Sequence, residues 1–213
     1  MKSILPAALK YFGIFILLYG AMTAISLLPA VGSMSNALYR LPTEPAMQAL
    51  LSKAFIQMKE DPAGPSFIRV EYASRLQVQE QMLEAQRAGQ AVADIQGRDN
   101  RIQFYNLFLS FYLFLAALIL LSPVSWKEKM VNLLLGTVLF YLYTLLKVYL
   151  SLWSIFNQPE IAIYQTGDFW LKTGRAILYF MTLGTNVLVV LIIWAMLTFR
   201  RGNWRELLKT IKG

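Results

Sequence analysis

The chain has 213 residues, 57% of them hydrophobic and 15% charged, with a net charge of +8. It contains no cysteine and no histidine, which excludes disulfides, thiol nucleophiles, Ser-His-Asp triads and zinc sites of the usual kind. Carboxylate, lysine or tyrosine chemistry and an oxygen-ligated Mg²⁺ or Ca²⁺ site stay open, but no cofactor is expected.

The positive charge is unevenly spread. Residues 32–101 carry eight Lys/Arg and eight Asp/Glu and are neutral. The excess lies in short flanks: Lys2 and Lys10, Lys127 and Lys129, and Arg200, Arg201, Arg205, Lys209 and Lys212. That is the bias of cytoplasmic membrane-flanking segments and not of a nucleic-acid surface.

In chain order, residues 1–10 read as a cytoplasmic N-terminus, followed by an apolar run at 11–31. Three more apolar runs follow at 102–121, 130–153 and 176–199. Each is long enough to cross a hydrocarbon layer of about 30 Å as a helix. The expected fold is an all-α, polytopic membrane protein with four transmembrane helices, both termini inside. Residues 122–129 form a cytoplasmic turn, 154–175 an outer loop and 200–213 a basic tail. The first run exceeds the usual signal-peptide core and is read as an uncleaved anchor. The absence of an Asn-x-Ser/Thr acceptor fits a bacterial cytoplasmic membrane.

Residues 32–101 form an extracytoplasmic, mostly helical insertion. Asn36–Pro42 reads as irregular, and Thr43-Glu44-Pro45 as a helix start. Met47, Leu50, Leu51, Ala54, Phe55 and Met58 then recur at helical spacing. Within that set, Met47, Leu50, Leu51, Phe55 and Met58 are the expected partner-docking face. Pro62-Ala63-Gly64-Pro65 ends the helix. From Ile68 to Val78 apolar and polar residues alternate as in a strand, whereas Val78, Met82, Ala85, Gly89 and Val92 have helical spacing. A helix from about Tyr72 to Gln96 after a short extended lead-in is expected, with a hairpin of 67–78 and 91–104 as the alternative.

Ser125 and Glu128 are spaced as a capping box opening the third span, and Asn203 and Glu206 resemble one in the tail. Trp204, Leu207, Leu208 and Ile211 give the tail an apolar face. Arg200, Arg201, Trp204, Arg205, Lys209 and Lys212 are the expected contacts to anionic lipid of the inner leaflet. Phe104, Tyr105, Trp126, Trp153, Trp170 and Trp204 fall at predicted boundaries, as an aromatic belt does.

Lys147 is the one ionisable acid or base within a predicted span. It either snorkels to the outer boundary or serves an outward-facing pocket with Glu160 or Asp168. Thr182, Thr185 and Asn186, with Gly184, are small or hydrogen-bonding residues suited to helix packing or to docking another subunit. No span holds Asp or Glu, which counts against proton- or sodium-coupled transport.

Arg101–Ser122 entering the second span, the basic inner turn and Leu146-Lys147 late in the third give a layout similar to small membrane proteins that accompany exosortase-type sorting enzymes. The similarity covers about half of the chain at the level of hydropathy. The outer segment of those proteins is more strand-like than this one reads. The enzyme's own cysteine nucleophile has no counterpart here. The resemblance implies an accessory of a sorting system. The residues by themselves point to a non-catalytic accessory or scaffold subunit that binds the bilayer and another membrane protein or itself. A small transporter or lipid-handling protein using Lys147 is the alternative.

Overall fold

A computed structural model describes residues 4–88 and 97–199 of the chain. It is mostly helical, with a small three-stranded sheet. The chain divides into two compact units, residues 1–28, 106–144 and 182–213 in one, and 29–105 and 145–181 in the other.

The first unit is helical. Helix α1 spans Ile4–Ser26. It stops at Leu27-Leu28, five residues before the expected end, because the residue ahead of Pro29 is driven out of the helical region. A single π turn at Tyr105–Leu109 runs into α4, Ser110–Leu121. Helix α5, Trp126–Phe156, contributes its first part to this unit. Its start is the expected capping box: Glu128 N–H donates to Ser125 Oγ (3.3 Å) and Ser125 N–H to a Glu128 carboxylate oxygen (3.1 Å). Helix α7 covers Thr185–Phe199. Leu115, Ile119, Phe140, Val190 and Ile193 form the buried core between α4, α5 and α7. Gly136 lets them close up, since a Cβ there would stand 3.3 Å from Leu115 and Ile119 methyl carbons. Helix α1 joins through Phe15 and Tyr19, both edge-on to Phe114.

The second unit corrects the all-helical expectation for the insertion. Helix α2 runs from Pro29 to Leu50 and carries Pro42 and Pro45 inside it. Residues 36–42 are therefore helical, and Thr43 is no helix start. Strand β1 follows at Ala54–Glu60 and β2 at Ile68–Ser74, then α3 at Arg75–Arg87 and β3 at Arg98–Ile102. The sheet order is β1-β2-β3, all antiparallel, with Ile56 opposite Tyr72 and Tyr72 opposite Arg98. The expected 72–96 helix thus starts at Arg75, its lead-in is a full strand, and the β2–β3 pairing matches the hairpin alternative. The end of α5 and helix α6, Asp168–Thr182, complete this unit.

By length and apolarity, α1 (over Leu9–Ser26) and α5 are membrane-length helices. The pair α6–α7, broken at Leu183-Gly184, makes a third if taken as one span. Gly184 sits at φ 77°, a conformation costly for other residues. The run expected as the second span is a shorter apolar helix, Tyr105–Leu121.

Candidate functional site

Two clusters of polar side chains join helices in the helical unit. In one, the Tyr143 hydroxyl donates to Asn186 Oδ1 (3.0 Å) and shares a hydrogen bond with Thr185 Oγ1 (3.0 Å). In the other, Trp194 Nε1 donates to Ser122 Oγ (2.8 Å), whose hydroxyl donates to the Leu118 carbonyl (2.8 Å) and lies 3.4 Å from Thr198 Oγ1. Both tie α7 to its neighbours across the apolar core. Thr185 and Asn186 are thus engaged in packing within the chain, whereas Thr182 is exposed at the end of α6. Tyr143, Ser122, Trp194 and Thr198 complete the clusters without a sequence signal beyond being polar in apolar runs.

In the sheet unit, one face of α2 serves the edge of β1. Asn36, Arg40, Glu44 and Gln48 stand at successive i, i+4 positions, so they share a helix face. Gln48 donates to the Ile56 carbonyl (2.7 Å), Glu44 accepts from Met58 N–H (2.8 Å), and Arg40 donates to the Met58 carbonyl (3.0 Å). The fully buried Asn36 amide donates to the carbonyls of Pro65 (2.8 Å) and Phe67 (2.9 Å) and accepts from Arg40 Nε (2.7 Å). An edge strand otherwise exposes a row of open backbone groups, and these side chains fill that row.

The turn between β1 and β2 is held by Asp61, whose side chain is 2% exposed. It accepts from Ala63 N–H (2.8 Å) and from Arg101 Nε on β3 (2.8 Å). The hydrogen bond from Ala63 and the Arg101 guanidinium hold its carboxyl below the ordinary range, against an opposing push from burial. On the sheet's charged face, Lys59 pairs with Glu71 (2.7 Å) and Arg69 with Asp99 (3.1 Å). Such partly exposed pairs contribute little each.

The expected docking face is mostly interior. Met47, Leu51 and Met58 are core residues, Phe55 is half-buried, and Leu50 alone is exposed. The reason is a change of period: the helix ends at Leu50, and Ala54, Ile56 and Met58 then alternate inward as a strand. Lys147 is 8% exposed in the later part of α5. The tail residues Arg200, Arg201, Trp204, Arg205, Lys209 and Lys212 lie outside the described residues.

An open cleft of about 400 Å³ lies between α3, the sheet and the loop after α5, lined by Tyr72, Gln77, Glu80, Glu84, Arg98 and Glu160 among others. Lys147 is not part of its lining. Burial raises the Tyr72 hydroxyl above its ordinary pKa. No three metal-ligating side chains converge among the described residues.

Fold and site together define a mostly helical protein with, among the described residues, two or three membrane-length helices and a small sheet braced by side chains of α2. No protein-family model matches the chain, and neither a curated protein nor a solved structure is significantly similar to it.

Proposed function

We propose that the protein is a non-catalytic accessory or scaffold subunit of a membrane complex, and that α1 is the helix that docks the partner. In this reading the chain crosses a bacterial cytoplasmic membrane four times with both ends inside, and its basic tail holds anionic lipid.

The carrying observation is the state of α1. Of its 18-residue apolar stretch 6% is buried in the chain, against 28% for the most apolar stretch of α5. Helix α1 meets α4 through Phe15 and Tyr19. On the opposite side, Gly13, Leu17, Gly20 and Ala24 share one flank by helical geometry. A Cβ added at Gly13 or Gly20 would meet nothing within 4 Å. Small residues on a span let a second helix approach closely, and packing of that kind drives association in lipid. The occupant is therefore a transmembrane helix of another membrane protein. The layout similarity suggests a sorting enzyme as one such partner.

The test is native mass spectrometry of the tagged chain purified from its own host, beside Gly20→Ile. A stoichiometric second membrane protein in the wild type, lost in Gly20→Ile while membrane insertion is retained, is the expected result. A wild-type monomer or homodimer, or an assembly unchanged by the substitution, would refute the reading.

A further inference from the structure

Helix α6 has three flanks. Gly174 and Met181 are buried, with Leu171 and Leu178 half-buried beside them. Gly174 faces the Trp153 ring of α5, which a Cβ at that position would overlap, and Arg175 Nε donates to Ser154 Oγ (3.2 Å). A second flank holds Phe169, Trp170, Ile177 and Phe180, exposed by 46–71%. The third holds Asp168, Lys172, Arg175 and Tyr179, all exposed. An apolar, aromatic flank beside a charged one is the composition of a helix lying in a membrane interface, and not that of a helix sunk in hydrocarbon on all sides.

Helix α6 packs on α5 at Trp153, and tryptophan is a residue that settles at headgroup level. Phe169 and Trp170, in edge-on contact at the start of α6, add further aromatics of the kind found in an interfacial belt.

We propose that α6 is an interfacial helix embedded in the headgroup layer, with Phe169, Trp170, Ile177 and Phe180 turned to the acyl chains and Lys172 and Arg175 to lipid phosphates. The fourth crossing then begins at α7 and does not include α6. The occupant of its apolar flank is lipid because Trp153, on which α6 packs, belongs at headgroup level and the flank's cationic neighbours complement anionic headgroups.

The cysteine-free chain permits single-cysteine labelling of the full-length protein in vesicles of neutral and anionic phospholipid. Ile177→Cys and Phe180→Cys, each carrying an environment-sensitive fluorophore, are expected to be quenched more by lipids brominated near the headgroup than by lipids brominated near the chain end. Lys172→Cys is expected to be quenched by aqueous iodide. Val187→Cys on α7, quenched by brominated lipid, verifies that each preparation has inserted. Strongest quenching of Ile177→Cys and Phe180→Cys by the deep bromines would make α6 part of a span and overturn the proposal. Iodide quenching at those positions, or quenching by neither agent, would place water or protein on the flank and overturn it too.

Discussion

Truncating Asn36 to alanine removes the residue on which the β1–β2 turn hangs. It deletes two donors, to the carbonyls of Pro65 and Phe67, and one acceptor, from Arg40 Nε. The Phe67 carbonyl retains a weak bond from Asp61 N–H (3.4 Å), so the groups left open are the Pro65 carbonyl and one Arg40 N–H. A buried polar group left without a partner costs about 1–3 kcal/mol. Arg40 is half-buried and regains part of that from water, so the local loss should be about 2–4 kcal/mol. At about 1.4 kcal/mol per tenfold, opening becomes roughly thirty to a thousand times more frequent. Amide hydrogen exchange of the detergent-solubilised protein reads this directly. The amides of Asp61, Gly64 and Phe67, which close the turn, should accelerate by that factor while α4 and α7 do not. Asn36→Asp separates the two halves of the residue, since it keeps the acceptor for Arg40 and loses both donors. If the donors matter, it is at least as damaging as alanine. Unchanged protection in Asn36→Ala, or recovery in Asn36→Asp, would refute the argument.

Two further outcomes follow from the same hydrogen-bond networks. The folded state holds the Asp61 carboxyl below its ordinary value of 3.8, so its charged form contributes stability above that pH, and the contribution is lost as pH falls through the depressed value. Thermal melts of wild type and Asp61→Asn should therefore differ at neutral pH and converge in acid, and a gap that does not change with pH would contradict this. In the helical unit, Tyr143→Phe removes the hydroxyl shared by Thr185 and Asn186. It should cost about 0.6 kcal/mol, the average for interhelical hydrogen bonds in bilayers, and at most about 1.7. Steric-trapping measurements in bicelles would show it, and no loss at all would mean that the α5–α7 contact rests on packing alone.

The apolar runs were legible because hydrophobicity alone sets where a helix can meet lipid. The Ser125–Glu128 capping box was legible too, being a pair of local hydrogen bonds. Met47–Met58 misled because one set of residues satisfies two periods. Leu51, Ala54, Phe55 and Met58 suit a helix, while Ala54, Ile56 and Met58 suit a strand, and pairing with β2 decides between them. Arg98–Ile102 has no apolar alternation, and its strand exists because β2 presents an edge to it. The face of Asn36, Arg40, Glu44 and Gln48 had a readable signal in its i, i+4 spacing. Pro42 and Pro45 concealed it by suggesting that no helix could run through them. Those prolines each remove a backbone N–H, and the side chains between and around them bond to the sheet, so tertiary contacts outweigh the local preference.

The two polar clusters of the helical unit also explain why hydroxyl and amide groups are tolerated in so apolar a sequence. Asn186 and Thr198 are about 18 Å apart along α7, less than the thickness of the hydrocarbon layer. At least one cluster must therefore lie at hydrocarbon depth when α7 sits in a bilayer. An unpaired polar group there costs several kcal/mol. Each cluster meets that demand by bonding across helices, Asn186 to Tyr143 and Trp194 to Ser122. The core of Phe140, Val190 and Ile193 fills the space between with side chains that prefer lipid as much as they prefer one another. Packing of that kind holds the helices together, and the interhelical hydrogen bonds add to it. Sliding α7 by a single turn would break the Tyr143–Asn186 and Trp194–Ser122 hydrogen bonds together, so the two clusters favour the observed register.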